Sequence, residues 1–178
     1  RLVWRAPQKK LWDAVILCDS TQGPIHPDLR DWFIETAARD AAIARSHGAE
    51  PVFMITWAYA DRPEMTEELA DAVIAVANAN HALAIPAGLA FAEAEKFAPD
   101  IALTISDKRH PTPEGSYLLA AVILESVFGI NARRVSEDCG LTPETAMILR
   151  EIAHKTAVRF FDRPLQSPSQ NRVSARKA

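Results

Sequence analysis

No run of about eighteen consecutive apolar residues occurs in the chain, so a helical membrane span is excluded. Cysteine is scarce: Cys18 and Cys139 are 2 among 178 residues, far apart and in unlike contexts. They have the spacing of neither a metal site nor a redox pair, and they read as buried, unpaired thiols. An excess of positive charge is also missing. The 20 Lys and Arg residues face 23 Asp and Glu, for a formal net charge of −3. With no dominant basic face, no nucleic-acid partner is expected. The glycine-rich loop that cradles phosphate is absent. His26, His47, His81 and His154 lack partners at metal-ligand spacing, so no metal is assigned. His47 sits near a helix end, where a cation is favourable, and His154 lies off the apolar face of the last helix.

What is present is the composition of one packed domain, with 48% hydrophobic and 24% charged residues. Short apolar runs alternate with helical periods. "DAVILCD" (13–19), "PVFMITWA" (51–58) and "HALAIPAG" (81–88) read as buried strands, and "DIALTIS" (100–106) as a fourth strand or an extended run. Between them, Leu29, Trp32, Phe33, Thr36, Ala37 and Ile43 follow one helical stripe that stops near Gly48. Thr66 is placed to cap a second helix, with Leu69, Ala72, Val73, Val76 and Ala77 on its stripe. A short helix is expected over 89–97. Thr112 and Pro113 are suited to start another, buried through Leu118, Leu119, Val122 and Ile123. A last helix begins at Thr142-Pro143, with Leu149, Ile152, Ala153, Thr156, Ala157 and Phe160 on its face. The stretch from Asp162 onward, rich in Ser, Pro, Gln and Arg, has little to bury and is expected to be a disordered tail on a domain ending at 161. Such alternation predicts an α/β fold with a parallel sheet, whose chemistry gathers at the carboxyl ends of its strands. Cys18-Asp19-Ser20, Trp57 and the 106–110 loop all fall at such ends.

The stretch "SDKRHPTPEGSY" (106–117) carries the clearest chemistry. A hydroxyl nucleophile is weak at neutral pH and needs an adjacent base. Imidazole serves, provided a carboxylate holds its tautomer and stabilises the imidazolium. Asp107, three residues ahead of His110 in one loop, is placed for that task, and Pro111 and Pro113 stiffen the backbone around it. Trp57 ends a strand nearby, suited to floor a pocket or to rim packing. Arg62 and Glu64 read as a solvated loop pair, and Arg133 and Arg134 as surface charges.

"DKRHPTPEGSYLLAAVILESVFG" (107–129) resembles the last block of the SGNH (GDSL-like) hydrolases, in particular a bacterial subgroup with "D-G-x-H-P-S-P-x-G-S-Y-L-A-A". The match runs through Asp107, His110, Pro111, Pro113, Gly115, Ser116, Tyr117, Leu118, Ala120 and Ala121. Upstream, "WDAVILCDSTQGPI" (12–25) is similar to the subgroup's third strand, often W-D-x-V-V-L-Q-E-Q-S-Q-x-P. "PVFMITWAYADRPEM" (51–65) and "HALAIPAGLAFAEA" (81–94) resemble its fourth and fifth strands with the segments that follow them. Residues 12–160 are covered. The resemblance implies a three-layer α/β/α sandwich of flavodoxin-like topology, lacking its first strands. It also implies a serine ester or acyl hydrolase that needs no cofactor, acting on a small-molecule or carbohydrate ester.

In that family the nucleophilic serine sits in a G-x-S motif after the first strand, and no such block is present here. Roughly 50 to 80 residues would supply the two missing strands and their helices. Arg1 stands where a chain would start with Met, and the serine is expected upstream of it. A rival register places Ser20 of "ILCDST" (16–21) as nucleophile, with Cys18 in place of glycine. Cysteine does not allow the tight turn that glycine does, and too few β-α units separate Ser20 from Asp107. In the favoured register, residues 18–22 fall where the family puts an oxyanion-hole donor. Cys18, Asp19 and Ser20 replace the commoner Gln, Glu and Gln, and Gln22 is the best remaining donor. A non-catalytic α/β binding module is the alternative. Without its first strands the 13–19 strand would present an apolar edge, partly patched by "RLVW" (1–4), so this 178-residue piece alone is expected to be inactive and poorly soluble.

Overall fold

Three of the apolar runs form one parallel sheet: β1 (Ala14–Leu17), β2 (Glu50–Met54) and β3 (Leu83–Ile85), in the order β1-β2-β3. The structure, a computed structural model, describes residues 11–161; the expected tail beyond 162 and the "RLVW" segment lie outside them. The helices are α1 (Arg30–Ser46), α2 (Met65–Ala79), α3 (Ala87–Phe97), α4 (Pro113–Phe128) and α5 (Pro143–Phe161), with a 3-10 turn at Ala132–Arg134. The strands are shorter than the apolar runs. Ile55 lies past the last residue of β2, yet it is only 1% exposed and its N–H still donates to the Ile85 carbonyl at 3.0 Å.

Neighbouring residues on each strand serve different cores, as alternation along a strand requires. Val52 and Ile85 join α3, α4 and α5, with Phe91, Leu118, Val122 and Leu149 at the centre. Phe53 and Ala84 join α1 and α2 through Phe33, Ala37, Val73 and Val76. Each fully buried Leu or Phe contributes roughly 1.5–3 kcal/mol by leaving water, so the larger cluster dominates the stability of the domain. β1 pairs with β2 alone among the described residues, and Ile16 is exposed beside Leu11 and Trp12.

Several local expectations are corrected. The buried face of α1 is Phe33, Ala37, Ala41 and Ala44, whereas Leu29 and Trp32 face outward. The stripe is therefore rotated toward the small residues that let α1 approach the sheet closely. Thr66 does not cap α2: the helix starts at Met65 after Glu64, with no side-chain cap, because the turn at 62–66 already bonds Met65 N to the Arg62 carbonyl and Thr66 N to that of Pro63. Helix α3 begins at Ala87, two residues early. The 100–106 run is extended rather than a sheet strand. It folds back on the loop that follows, with one antiparallel bridge between Thr104 and Pro111. Cys18 and Cys139 are exposed, not buried, since one lies just past the edge strand and the other in a loop with φ of 52°. His154 is buried, not off the packed face, and it meets Glu125 of α4.

The start of α4 follows from its sequence. Thr112 Oγ1 accepts from Gly115 N at 3.0 Å, and Pro113 takes the first helical position, where no N–H is needed. The Thr112 hydroxyl also donates to the Ala102 carbonyl at 2.8 Å, tying the helix to the extended run. A Cβ on Gly115 would collide with the Leu103 carbonyl oxygen, so glycine permits this close approach. Thr112→Ala is expected to lower unfolding free energy by about 1–2 kcal/mol, since one substitution removes both bonds. Denaturant unfolding checks this, and a loss below about 0.5 kcal/mol would contradict the cap.

Candidate active site

The loop between the extended run and α4 brings Asp107 and His110 together. His110 Nδ1 and Asp107 Oδ2 lie 2.6 Å apart, and Asp107 Oδ1 accepts from Arg109 N at 2.8 Å and His110 N at 3.0 Å. Both carboxylate oxygens are thus occupied from within four consecutive residues. The hydrogen bond from the imidazole, reinforced by the two backbone N–H groups, holds the Asp107 carboxyl down to about 2. With Nδ1 engaged, Nε2 is the ring nitrogen free for a proton, and the side chain is 77% exposed. Among the described residues the His110 ring hydrogen-bonds Asp107 alone. The loop needs an unusual backbone: Lys108 has φ of 62°, and it stands where the resembled block carries glycine.

Trp57 lies three residues past β2. Its ring stacks on Phe91 of α3 with centroids 4.5 Å apart, and its Nε1 donates to the Arg109 carbonyl at 2.8 Å. Its one donor is therefore directed at the loop. Ala60 N donates to the Lys108 carbonyl at 3.1 Å. These contacts put the 107–110 loop over the carboxyl end of β2. Arg109 Nη1 meets Asp61 Oδ1 at 2.7 Å, and the guanidinium covers the Tyr59 ring at 3.9 Å. That bond from Arg109 lowers the Asp61 carboxyl below its ordinary value. Neither Tyr59 nor Asp61 was marked by sequence reasoning, since their partner lies about fifty positions away. Arg62 and Glu64 form an exposed pair of their own at 3.2 Å.

Residues 18–23 leave β1 at the same end of the sheet, because β1 and β2 are parallel and Leu17 lies opposite Phe53. They form a tight turn, with Gly23 N donating to the Ser20 carbonyl at 3.0 Å and to Ser20 Oγ at 3.2 Å. Asp19 folds into that turn. Its Oδ1 accepts from Ser20 N at 2.6 Å, and a Cβ on Gly23 would strike its carboxylate. Gln22 is half-buried, its carbonyl accepting from Ile25 N and His26 N. No hydrogen bond joins Ser20 or Gln22 to Asp107 or His110 among the described residues. The structure therefore unites Asp107, His110 and Trp57, and leaves Ser20 and Gln22 in a separate turn on the same rim. Among the described residues no cluster of His, Cys, Asp and Glu is arranged to hold a metal ion. No helix there is long and apolar enough to cross a membrane.

No family model and no curated protein matches the chain. Among solved structures it is similar to a provisionally assigned SGNH hydrolase from Slackia heliotrinireducens, with 27% identity, a TM-score of 0.56 and coverage of 67% of each chain. That likeness, together with the parallel sheet, supports an SGNH-like α/β fold for the chain.

Proposed function

We propose that the protein is a serine ester or acyl hydrolase of SGNH type, built on a three-layer α/β/α sandwich with further strands ahead of β1. The observation that carries this reading is the 2.6 Å Asp107–His110 pair at the carboxyl rim, with Nε2 left for a substrate-side proton. The nucleophile is a serine preceding Arg1. Its Oγ attacks the acyl carbon as its proton passes to His110 Nε2, and the leaving alcohol takes that proton away. Water, deprotonated by the same nitrogen, then cleaves the acyl-enzyme and releases the acid, and that proton passes from Nε2 to the departing serine Oγ. Asp107 orients the ring throughout and stabilises the imidazolium. Gln22 and Ser20, in the turn on the same rim, supply polar groups toward the oxyanion. Trp57 floors the pocket. Small esters, including acetylated sugars, are the substrate class.

A second reading, a binding module without catalysis, is favoured by the ionisable Asp19 on that same turn, since an anion there opposes a developing oxyanion. One experiment separates the two. Full-length protein is treated with a fluorophosphonate and the modified peptide is mapped by mass spectrometry. The hydrolase reading expects a labelled serine upstream of Arg1, with no label in the His110→Ala variant. A label on Ser20 would move the nucleophile to the turn after β1, and no label at all would leave the binding module. The 178-residue piece alone is expected to release no nitrophenol from a nitrophenyl ester.

A further inference from the structure

We infer that Trp57 and Asp61 are positioning residues for His110, acting as a clamp that keeps Lys108 in a left-handed backbone and so keeps the Asp107–His110 pair closed. Left-handed φ is unfavourable for a residue with a Cβ and persists when the surroundings enforce it. The surroundings here are specific. The carbonyl of Lys108 is held by Ala60 N at 3.1 Å and that of Arg109 by the Trp57 indole at 2.8 Å. The Arg109 side chain is pinned between Tyr59 and Asp61, at 3.9 and 2.7 Å. All four contacts come from residues 57–61, and all act on the two residues between the carboxylate and the imidazole. Trp57 is itself anchored by its parallel stack on Phe91, 9° from coplanar, so the loop is referenced to the core of the domain.

The clamp has a direct consequence for the ring. Asp107 can accept from Nδ1 only while the turn keeps the two side chains facing each other, and that bond fixes the proton on Nδ1. If Lys108 relaxes toward the right-handed region, the Arg109 and His110 N–H groups leave Asp107 Oδ1 together. The imidazole then loses its orienting partner and the Nε2–H tautomer gains population. The functional weight of the inference rests on the hydrolase reading, but the tautomer does not.

The test uses full-length, 15N-labelled protein at alkaline pH, where long-range proton–nitrogen correlations report which ring nitrogen carries the proton. Trp57→Phe keeps the stack on Phe91 and removes the N–H. It is expected to reduce the Nδ1–H share by about half. Asp61→Ala, on the surface, is expected to act in the same direction without threatening the fold. Lys108→Gly adopts left-handed backbone freely, so in the Trp57→Phe background it should restore the tautomer. A packing role for Trp57 would not be rescued from position 108. Ester turnover, measured in parallel, should fall roughly 10- to 100-fold in Trp57→Phe and recover in the double variant. An unmoved tautomer in Trp57→Phe and Asp61→Ala, or a failed rescue, overturns the clamp. A tautomer that moves and recovers in protein that hydrolyses no ester upholds the clamp and removes the hydrolase reading instead.

Discussion

His110→Ala in the full-length protein is expected to lower kcat/KM on a nitrophenyl ester by at least about 1,000-fold, because general base and general acid are lost together. Asp107→Asn should come close to that loss while leaving the fold intact. An asparagine would present an N–H₂ or a weak carbonyl to Nδ1, and the ring would settle in the tautomer with its proton on Nε2, where the serine must deliver its own. The pH profile adds an independent check. Asp107 stays ionised until pH falls toward about 2. The stabilisation it lends the folded loop is therefore present above the ordinary carboxylate range, near pH 3.9, and is lost as pH falls through its depressed value. Full activity in His110→Ala would end the assignment of this ring as the base.

His154→Ala is expected to produce a large loss of stability from a side chain away from the site. Glu125 is 0% exposed and His154 11% exposed, and they meet across the α4–α5 contact at 3.0 Å. Glu125 Oε1 also accepts from Ala132 N at 2.6 Å, and Oε2 has no hydrogen-bond partner among the described residues. Removing the imidazole leaves a buried carboxyl group with one backbone bond. Breaking such a pair costs about 3–5 kcal/mol, or roughly 10 °C in midpoint for a chain of this size. Thermal unfolding followed by circular dichroism measures it. The compensating variant Glu125→Gln with His154→Leu keeps an acceptor for Ala132 N and removes the charge. It should recover most of the loss, because replacing a buried pair by packed neutral groups is often near neutral. A His154→Ala variant within about 1 kcal/mol of the parent would show that the pair carries no such weight.

The elements that read clearly from sequence are those whose causes are local. Thr112, Pro113 and Gly115 start α4 through bonds within four residues, and the Asp107–His110 bond itself is made inside one loop. The parallel strands were legible because apolar runs alternated with helical periods. Their ends were not, because Ile55 stays buried past the last residue of β2. What escaped was pairing at a distance. Trp57 bonds a carbonyl 52 positions away and Glu125 a ring 29 positions away. For Glu125 a signal was present: it falls three residues after Val122 and seven after Leu118, on the stripe that the helix buries. An acidic residue on such a stripe asks for a basic partner, and His154 was the histidine on the adjacent helix.

A base and its orienting acid that ride on one short loop move through evolution as a cassette. Outside residues 57–61, which hold the loop, drift in the sheet or a changed leaving-group pocket alters what reaches the ring without separating ring from carboxylate. Loss of function in such a protein should therefore begin elsewhere, at the turn after β1 or at the hydroxyl itself, leaving the proton-handling pair intact as the last recognisable trace of the chemistry.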